Sequence, residues 1–205
     1  MSSAKSLSHV SFDFWNTLYG SNERFKKKRL ELLCTKGNCS SHQVQEAIFK
    51  LGKWHNGTLM KNVGLALPAF ELNRLLFGWI GIEEQQHMDT YNFILTLFSE
   101  NPPIRLYHKD VDFWMDKADT KSILSNTTFI PGQSISKRLE MDGLQFDFEL
   151  YSDEMGLGKP DQRVFHRLRE KAVGLCGNLV STMHIGDDVN HDQSTLTSVE
   201  SHILT

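Results

Sequence analysis

His9-Val10-Ser11-Phe12-Asp13-Phe14-Trp15-Asn16-Thr17-Leu18 decides how the chain is read. Val10, Phe12 and Phe14 alternate with the period of a strand, and the run ends in a carboxylate, Asp13, with the polar Asn16 and Thr17 close behind. A short apolar run that closes on polar side chains is how a parallel strand delivers groups to the carboxyl edge of its sheet. The pattern recurs in Ser122-Ile123-Leu124-Ser125-Asn126. It appears again where a run over 182–185 meets Gly186-Asp187-Asp188-Val189-Asn190-His191-Asp192. A further cluster, Gly158-Lys159-Pro160-Asp161, opens a helix, with Pro160 suited to the first turn. Elements in this order would gather the clusters in one crevice.

Outward from these clusters the chain divides. After the first strand about a hundred residues pass before the next strand pattern, too many for a loop. Apolar residues at three- and four-residue spacing predict helices over 22–33, 41–55, 68–79 and 83–98, with Ser41 as an N-cap, Pro68 in a first turn, and Gly57 and Gly81 as stops. Trp54, Phe70, Trp79 and Phe93 are expected to form a small helical core. From His108 helix and strand alternate: helix 109–117 with Val111, Trp114 and Met115 inward, a strand to Ser125, helix 134–141, strand 146–151, helix 160–172, strand 182–185, and a last strand over 202–204. Strands separated by helices imply an α/β fold with a doubly wound parallel sheet.

Composition narrows the function. Hydrophobic residues make up 40% of the 205, ordinary for a globular protein with one core or one core plus a smaller inserted domain. A formal net charge of -3 gives no electrostatic case for nucleic acid, and Lys26-Lys27-Lys28-Arg29 reads as a solvated helix face. No apolar run approaches a membrane span, and Met1 to His9 lacks the apolar core of a secretion signal, so a cytoplasmic protein is expected. Cys34, Cys39 and Cys176 are read as free thiols, and the histidines show no ligand spacing.

The clusters carry the chemistry. Asp13 is the candidate nucleophile, which requires an electrophile held close and its negative charge offset. Asp187 and Asp192 supply further carboxylates, the hard oxygen donors that Mg²⁺ takes. Ser125 can donate to a phosphoryl oxygen, with Asn126 beside it, and Lys159 can reach into the crevice to balance Asp13 and Asp187. Carboxylates crowded after one short strand repel one another unless a cation is near. Asp188 is left open between site and loop, His184 reads as a packed histidine rather than a base, and His191 is a weak candidate.

In order and residue type the clusters resemble the haloacid dehalogenase (HAD) superfamily of aspartate-nucleophile hydrolases. The resemblance implies a HAD-like core over 1–20 and 108–205, with an all-helical cap at 21–107. It further implies Mg²⁺ held by Asp13, the Trp15 backbone carbonyl, Asp187 and Asp192, and a small phosphorylated substrate held by Thr17, Ser125 and Asn126. The superfamily's first motif is Asp-x-Asp-x-Thr or Val; here it reads Asp13-Phe14-Trp15-Asn16-Thr17. Trp15 replaces the second Asp, which in the family's phosphatases protonates the leaving oxygen and activates water, so hydrolysis should be slowed. Haloacid dehalogenases also carry an aromatic residue there, since halide needs no proton, and they do not need magnesium. The expected function is therefore a Mg²⁺-dependent phosphatase working through an aspartyl-phosphate on Asp13. A dehalogenase, and an impaired HAD-like domain that binds a phosphorylated ligand or a protein, stay open as alternatives. In the dehalogenases a cap arginine clamps the substrate carboxylate; Arg24, Arg29 and Arg74 are each candidates for that part here and each has the simpler reading of a surface residue, and the tail after Asp192 departs from the family pattern in a way that could leave the sheet a strand short.

Overall fold

The computed structural model describes residues 8–61, 64–177 and 181–204. Residues 1–7 and 205, assigned above to the α/β portion, lie outside the described residues. The chain runs β1 (His9–Phe12), β2 (Tyr19–Gly20), α1 (Glu23–Gly37), α2 (Ser41–Lys61), α3 (Ala69–Trp79), a 3-10 turn (Glu84–Gln86), α4 (His87–Glu100) and β3 (Ile104–Arg105). It continues with α5 (Lys109–Lys117), β4 (Thr120–Ser125), α6 (Gly132–Met141), β5 (Phe148–Tyr151), α7 (Ser152–Met155), α8 (Gln162–Cys176), β6 (Thr182–Gly186), α9 (Val189–Asp192) and β7 (Val199–Ile203).

Among the described residues the main sheet has five strands, all parallel, in the order β5-β4-β1-β6-β7. The α/β reading therefore holds. The last strand starts at Val199, three residues earlier than the sequence pattern suggested, and pairs along β6 from Thr182 to Gly186. In the central register Phe12 stands opposite Ile123 on one side and Ile185 on the other. Asp13, Ser125 and Asp187 thus emerge within two residues of one level, at the carboxyl edge. Asp13 extends the ladder by one bond, its N–H donating to the Ile185 carbonyl at 2.8 Å.

The two faces of the sheet differ. Val10, Phe12, Ile123 and Ile185 lie in the large core that also takes residues of α5, α6 and the helical segment. Leu124, Leu150 and Val199 pack instead against Val164, Phe165 and Leu168 of α8. On that second side β1 also buries His9 and Ser11. Ser122 and His184, their neighbours in register on either flank, are buried too, so a polar layer lies between sheet and helix.

The segment between β2 and β3 is helical, as read, but its core differs. Trp54, Trp79 and Phe93 are 49%, 54% and 53% exposed, and Phe70 is half-buried against Tyr91. Phe25, Leu33, Val44, Leu51, Leu72, Leu76, Phe77, Ile94 and Phe98 fill the interior. Large aromatic residues at helical spacing mark an amphipathic helix; they do not say which stripe faces in. Boundaries move for local reasons. Ser40, not Ser41, caps α2: its hydroxyl accepts from Gln43 N–H at 3.3 Å while the Gln43 side chain accepts from Ser40 N–H at 2.9 Å, a capping box. Gly57 lies inside α2 and stops nothing, whereas Gly81 follows α3 at φ 80°. β2 and β3 pair antiparallel, Tyr19 with Arg105 and Gly20 with Ile104, tying the chain's exit from the sheet to its return. No helix among the described residues is long and apolar enough to cross a membrane.

Candidate active site

The carboxyl edge is organised around a buried lysine. Lys159 is 1% exposed, and its ammonium donates to Asp13 Oδ1 at 2.8 Å and to Asp192 Oδ1, with His184 Nε2 at 3.3 Å as a third neighbour. A lysine carries three N–H donors, and two of them go to these carboxylates. Its main chain is held as firmly. Asn126 Nδ2 donates to the Lys159 carbonyl and Lys159 N–H donates to Asn126 Oδ1, both at 2.8 Å. Both ends of the Asn126 amide are thereby engaged, so its part is to position the lysine. Pro160 precedes the helix instead of occupying its first turn: Asp161 is the N-cap, accepting from Arg163 N–H at 2.9 Å, and α8 starts at Gln162.

Asp192 is the second anchor. Oδ1 receives Lys159 and lies 3.2 Å from His184 Nε2, and Oδ2 accepts from Asp188 N–H at 2.9 Å. Its carboxylate presses against Gly186, where a Cβ would lie 2.1 Å from Asp192 Cγ, so only glycine fits at the end of β6. Asp188 caps α9, accepting from Asn190 N–H at 2.9 Å, and pairs with His191 at 2.6 Å. Both residues are thereby engaged in holding the loop. Asp187 has partners of its own: Thr17 Oγ1 approaches its Oδ1 at 3.5 Å, and Asn16, left-handed at φ 56°, also hydrogen-bonds it.

Three carboxylates face one ammonium. One oxygen from each of Asp13, Asp187 and Asp192 can be chosen so that all lie within 4.8 Å of one another. Burial pushes the Asp13 carboxyl above its ordinary range; Lys159 pulls it down, Asp192 pushes it further up, and the balance stays raised. Asp187 is also raised, by burial and then by Asp192. Asp192 goes the other way, because Lys159 and His184 outweigh its burial. Lys159 is raised, its two carboxylates overcoming burial, and His184 is lowered by burial and then by Lys159, which leaves the ring uncharged. The fully ionised cluster carries two more negative charges than positive. A divalent cation at Asp13 and Asp187 would reverse both rises. Asp192, with both oxygens already accepting N–H groups, sits beside such a cation more readily than on it.

Two more groups complete the site. Ser125 Oγ is buried without a well-formed hydrogen bond, yet it lies close enough to Asp13 to lower its pKa. Trp15 is half-buried, its ring edge-on to Phe14 at 4.9 Å and to Phe98 at 6.4 Å, so an indole stands where a carboxylate was absent from the motif. His184 is packed, as read from its strand, but the sequence did not reveal its contacts with Lys159 and Asp192. Its alternation with the apolar residues of β6, on the same side as Ser11, was the available signal. Arg29 departs from the solvated-face reading of the basic run: it is half-buried, with its guanidinium over two aromatic rings.

No protein-family profile matches the chain, and no curated protein matches its sequence. Solved structures do. A 2-haloacid dehalogenase from Pseudomonas syringae pv. Tomato is 14% identical, with a TM-score of 0.59 over 90% of this chain and 80% of that one. A putative HAD-hydrolase from Bacillus subtilis, bound to magnesium, is 18% identical, with a TM-score of 0.59 over 91% and 81%. A HAD family enzyme from Bacteroides thetaiotaomicron, in complex with magnesium and inorganic phosphate, is 15% identical, with a TM-score of 0.57 over 97% and 94%. At such identities likeness speaks to architecture, and with the parallel sheet and the four clusters at its carboxyl edge it gives one result: the chain has the haloacid dehalogenase-like fold.

Proposed function

We propose that the chain is a Mg²⁺-dependent hydrolase of small phosphorylated metabolites, with Asp13 as nucleophile. The observation that carries this is the buried Asp13–Lys159 pair at 2.8 Å, set among carboxylates that outnumber their cation. Asp13 Oδ attacks phosphorus, a new O–P bond forms as the bond to the leaving oxygen breaks, and water then displaces Asp13 to release inorganic phosphate. Lys159 and Ser125 hold the phosphoryl oxygens, Asn126 positions Lys159, and Thr17 steadies Asp187. Asp13, Asp187 and the Trp15 carbonyl would hold Mg²⁺, with Asp192 beside them; the ion would offset phosphoryl charge. Residues 21–107 serve as the cap over a core of 1–20 and 108–205. The magnesium and phosphate in the Bacteroides thetaiotaomicron enzyme support this reading by fold alone.

Trp15 favours a second reading. It offers no side-chain acid, which suits halide departure from carbon, and the Pseudomonas syringae structure of the same fold is a dehalogenase. A screen of phosphorylated metabolites and 2-haloacids, with and without Mg²⁺, separates the two. We expect Mg²⁺-dependent phosphate release that falls by roughly 10⁴-fold or more in Asp13→Asn. Halide release independent of Mg²⁺ would replace the phosphatase with the dehalogenase. No turnover of either class, with Asp13→Asn indistinguishable from wild type, would leave a binding domain.

A further inference from the structure

His184, in β6, is fully buried and touches the charged centre of the candidate site from the side of the sheet that faces α8. The parallel register sets it beside Ser11 of β1, and the Phe165 ring of α8 stands edge-on to it at 5.8 Å. Three polar neighbours surround the ring. Ser11 Oγ lies 3.2 Å from Nδ1, while Lys159 Nζ at 3.3 Å and Asp192 Oδ1 at 3.2 Å share Nε2. Full burial and the neighbouring ammonium keep the ring neutral, so it has one N–H and one lone pair to divide among the three.

Those neighbours are not alike: an ammonium only donates, a carboxylate only accepts, and a hydroxyl does either. With the proton on Nδ1, the ring would donate to Ser11 Oγ, and the third N–H of Lys159 would go to the Nε2 lone pair. The Ser11 O–H would then be buried with no acceptor, because His184 is the one hydrogen-bond partner of that hydroxyl among the described residues. Such an orphaned donor is costly and rare. With the proton on Nε2 every group is served. Ser11 donates to Nδ1, Nε2–H donates to Asp192 Oδ1, and Lys159 keeps the N–H that neither Asp13 nor Asp192 takes. We infer that His184 is a positioning residue: held by Ser11 as the Nε2–H tautomer, it fixes Asp192 and leaves the third N–H of Lys159 for a phosphoryl oxygen, a last step that rests on the phosphatase reading. A lysine with all three donors spent inside the protein would offer the group in transfer its charge alone, whereas a free N–H adds a directed bond.

One arm of the test needs no substrate. Proton–nitrogen correlation spectra of the full chain carrying isotope-labelled histidine, with neither Mg²⁺ nor phosphate added, should show the His184 proton on Nε2, the ring being identified by its loss in His184→Gln. In Ser11→Ala, where that hold is gone, the proton should pass in part to Nδ1. The other arm measures Mg²⁺-supported phosphate release from p-nitrophenyl phosphate. His184→Leu, which takes a donor from Asp192, should lower kcat by about 10- to 100-fold while KM changes by less than about threefold. His184→Gln, whose amide N–H reaches Asp192 from nearly the same place, should recover most of that loss. A wild-type proton on Nδ1, a His184→Leu variant as fast as wild type, or a His184→Gln variant as slow as His184→Leu overturns the inference and leaves the phosphatase reading standing. A wild-type proton on Nε2 without release of phosphate sinks the phosphatase reading and keeps the hold of His184 on Asp192. If His184→Leu melts too low to assay, the wild-type spectrum decides.

Discussion

Two cations divide the molecule between them. Lys159, at the edge of the sheet, is buried and has Asp13, Asp192 and His184 around its ammonium. Arg29, on the helical segment, rests on aromatic faces and has no ion pair among the described residues. The lysine's charge is committed within the protein, where it balances carboxylates that could not otherwise be buried together. The arginine's charge is held on ring faces and partly in solvent. A cation's contacts therefore separate a charge balanced by buried carboxylates from one carried on aromatic faces.

The sharpest break of this contrast is Lys159→Met. It strands Asp13 and Asp192 in a buried place without their counter-charge, and removing one partner of such a group costs about 3–5 kcal/mol. Urea unfolding should show that loss, and millimolar Mg²⁺ should recover part of it by supplying another cation. Arg29→Met, which strands no carboxylate, should lose far less. Equal losses in the two variants would erase the distinction.

Acid sharpens the contrast next. His9, on β1, is fully buried, bonded to Thr120 Oγ1 at 2.8 Å and Ser122 Oγ at 2.9 Å, and stacked on Phe148. Burial lowers its pKa from 6.5 to about 4, with Asp147 opposing and Arg169 assisting. The unfolded chain therefore takes up a proton before the folded one does. Stability from the neutral ring is complete above about pH 6.5 and is lost as the pH falls towards 4, by up to about 3 kcal/mol. Melting curves from pH 7.5 to 4.5 should fall less steeply in His9→Gln than in wild type, while Arg29→Met should run parallel to wild type. A wild-type slope retained in His9→Gln would place the acid sensitivity elsewhere.

What the sequence made legible follows the same divide. Asp13, Ser125, Lys159 and Asp187 could be placed because each ends or opens an element of a parallel sheet, and such a sheet has one edge where they can meet. The helices could be counted but not oriented. Period 3.6 fixes a stripe, and Trp54, Trp79 and Phe93 turned out to lie on the solvent side. Arg29 was hidden for a related reason: it follows three lysines, and only the fold brings Phe129, a hundred residues later, over its guanidinium. Asn126 was read as a ligand-binding amide because its bond to the Lys159 backbone spans 33 residues.

Packing draws the line again in Gly186→Ala. The added Cβ would meet the Asp192 carboxylate at 2.1 Å, and Asp192 is held by Lys159, His184 and the Asp188 N–H, so it has nowhere to yield. Overpacking of this kind costs about 1–3 kcal/mol. Because the displaced group is Lys159's partner, phosphate release should fall by more than the stability loss alone explains. An alanine variant with wild-type melting temperature and turnover would show the sheet edge to be looser than its contacts imply.

Gly57→Ala is the counterpart on the helical side, and its sign should be opposite. Gly57 lies within α2, which continues to Lys61, so the backbone there is already helical and an alanine meets no conformational strain. A Cβ built on it finds nothing within 4 Å, so no neighbour has to move. What changes is the unfolded chain, which has fewer backbone conformations available with alanine than with glycine. The helix should gain about 0.5–1 kcal/mol, visible as a higher urea midpoint with an unchanged denaturant slope. Kinetic constants should stay as they were, since a Cβ at Gly57 meets nothing of the lysine cluster. A loss of stability would mean that α2 is bent or packed at this point in a way that needs glycine. The tolerant half of the comparison would then have to be withdrawn, whatever the result at Gly186.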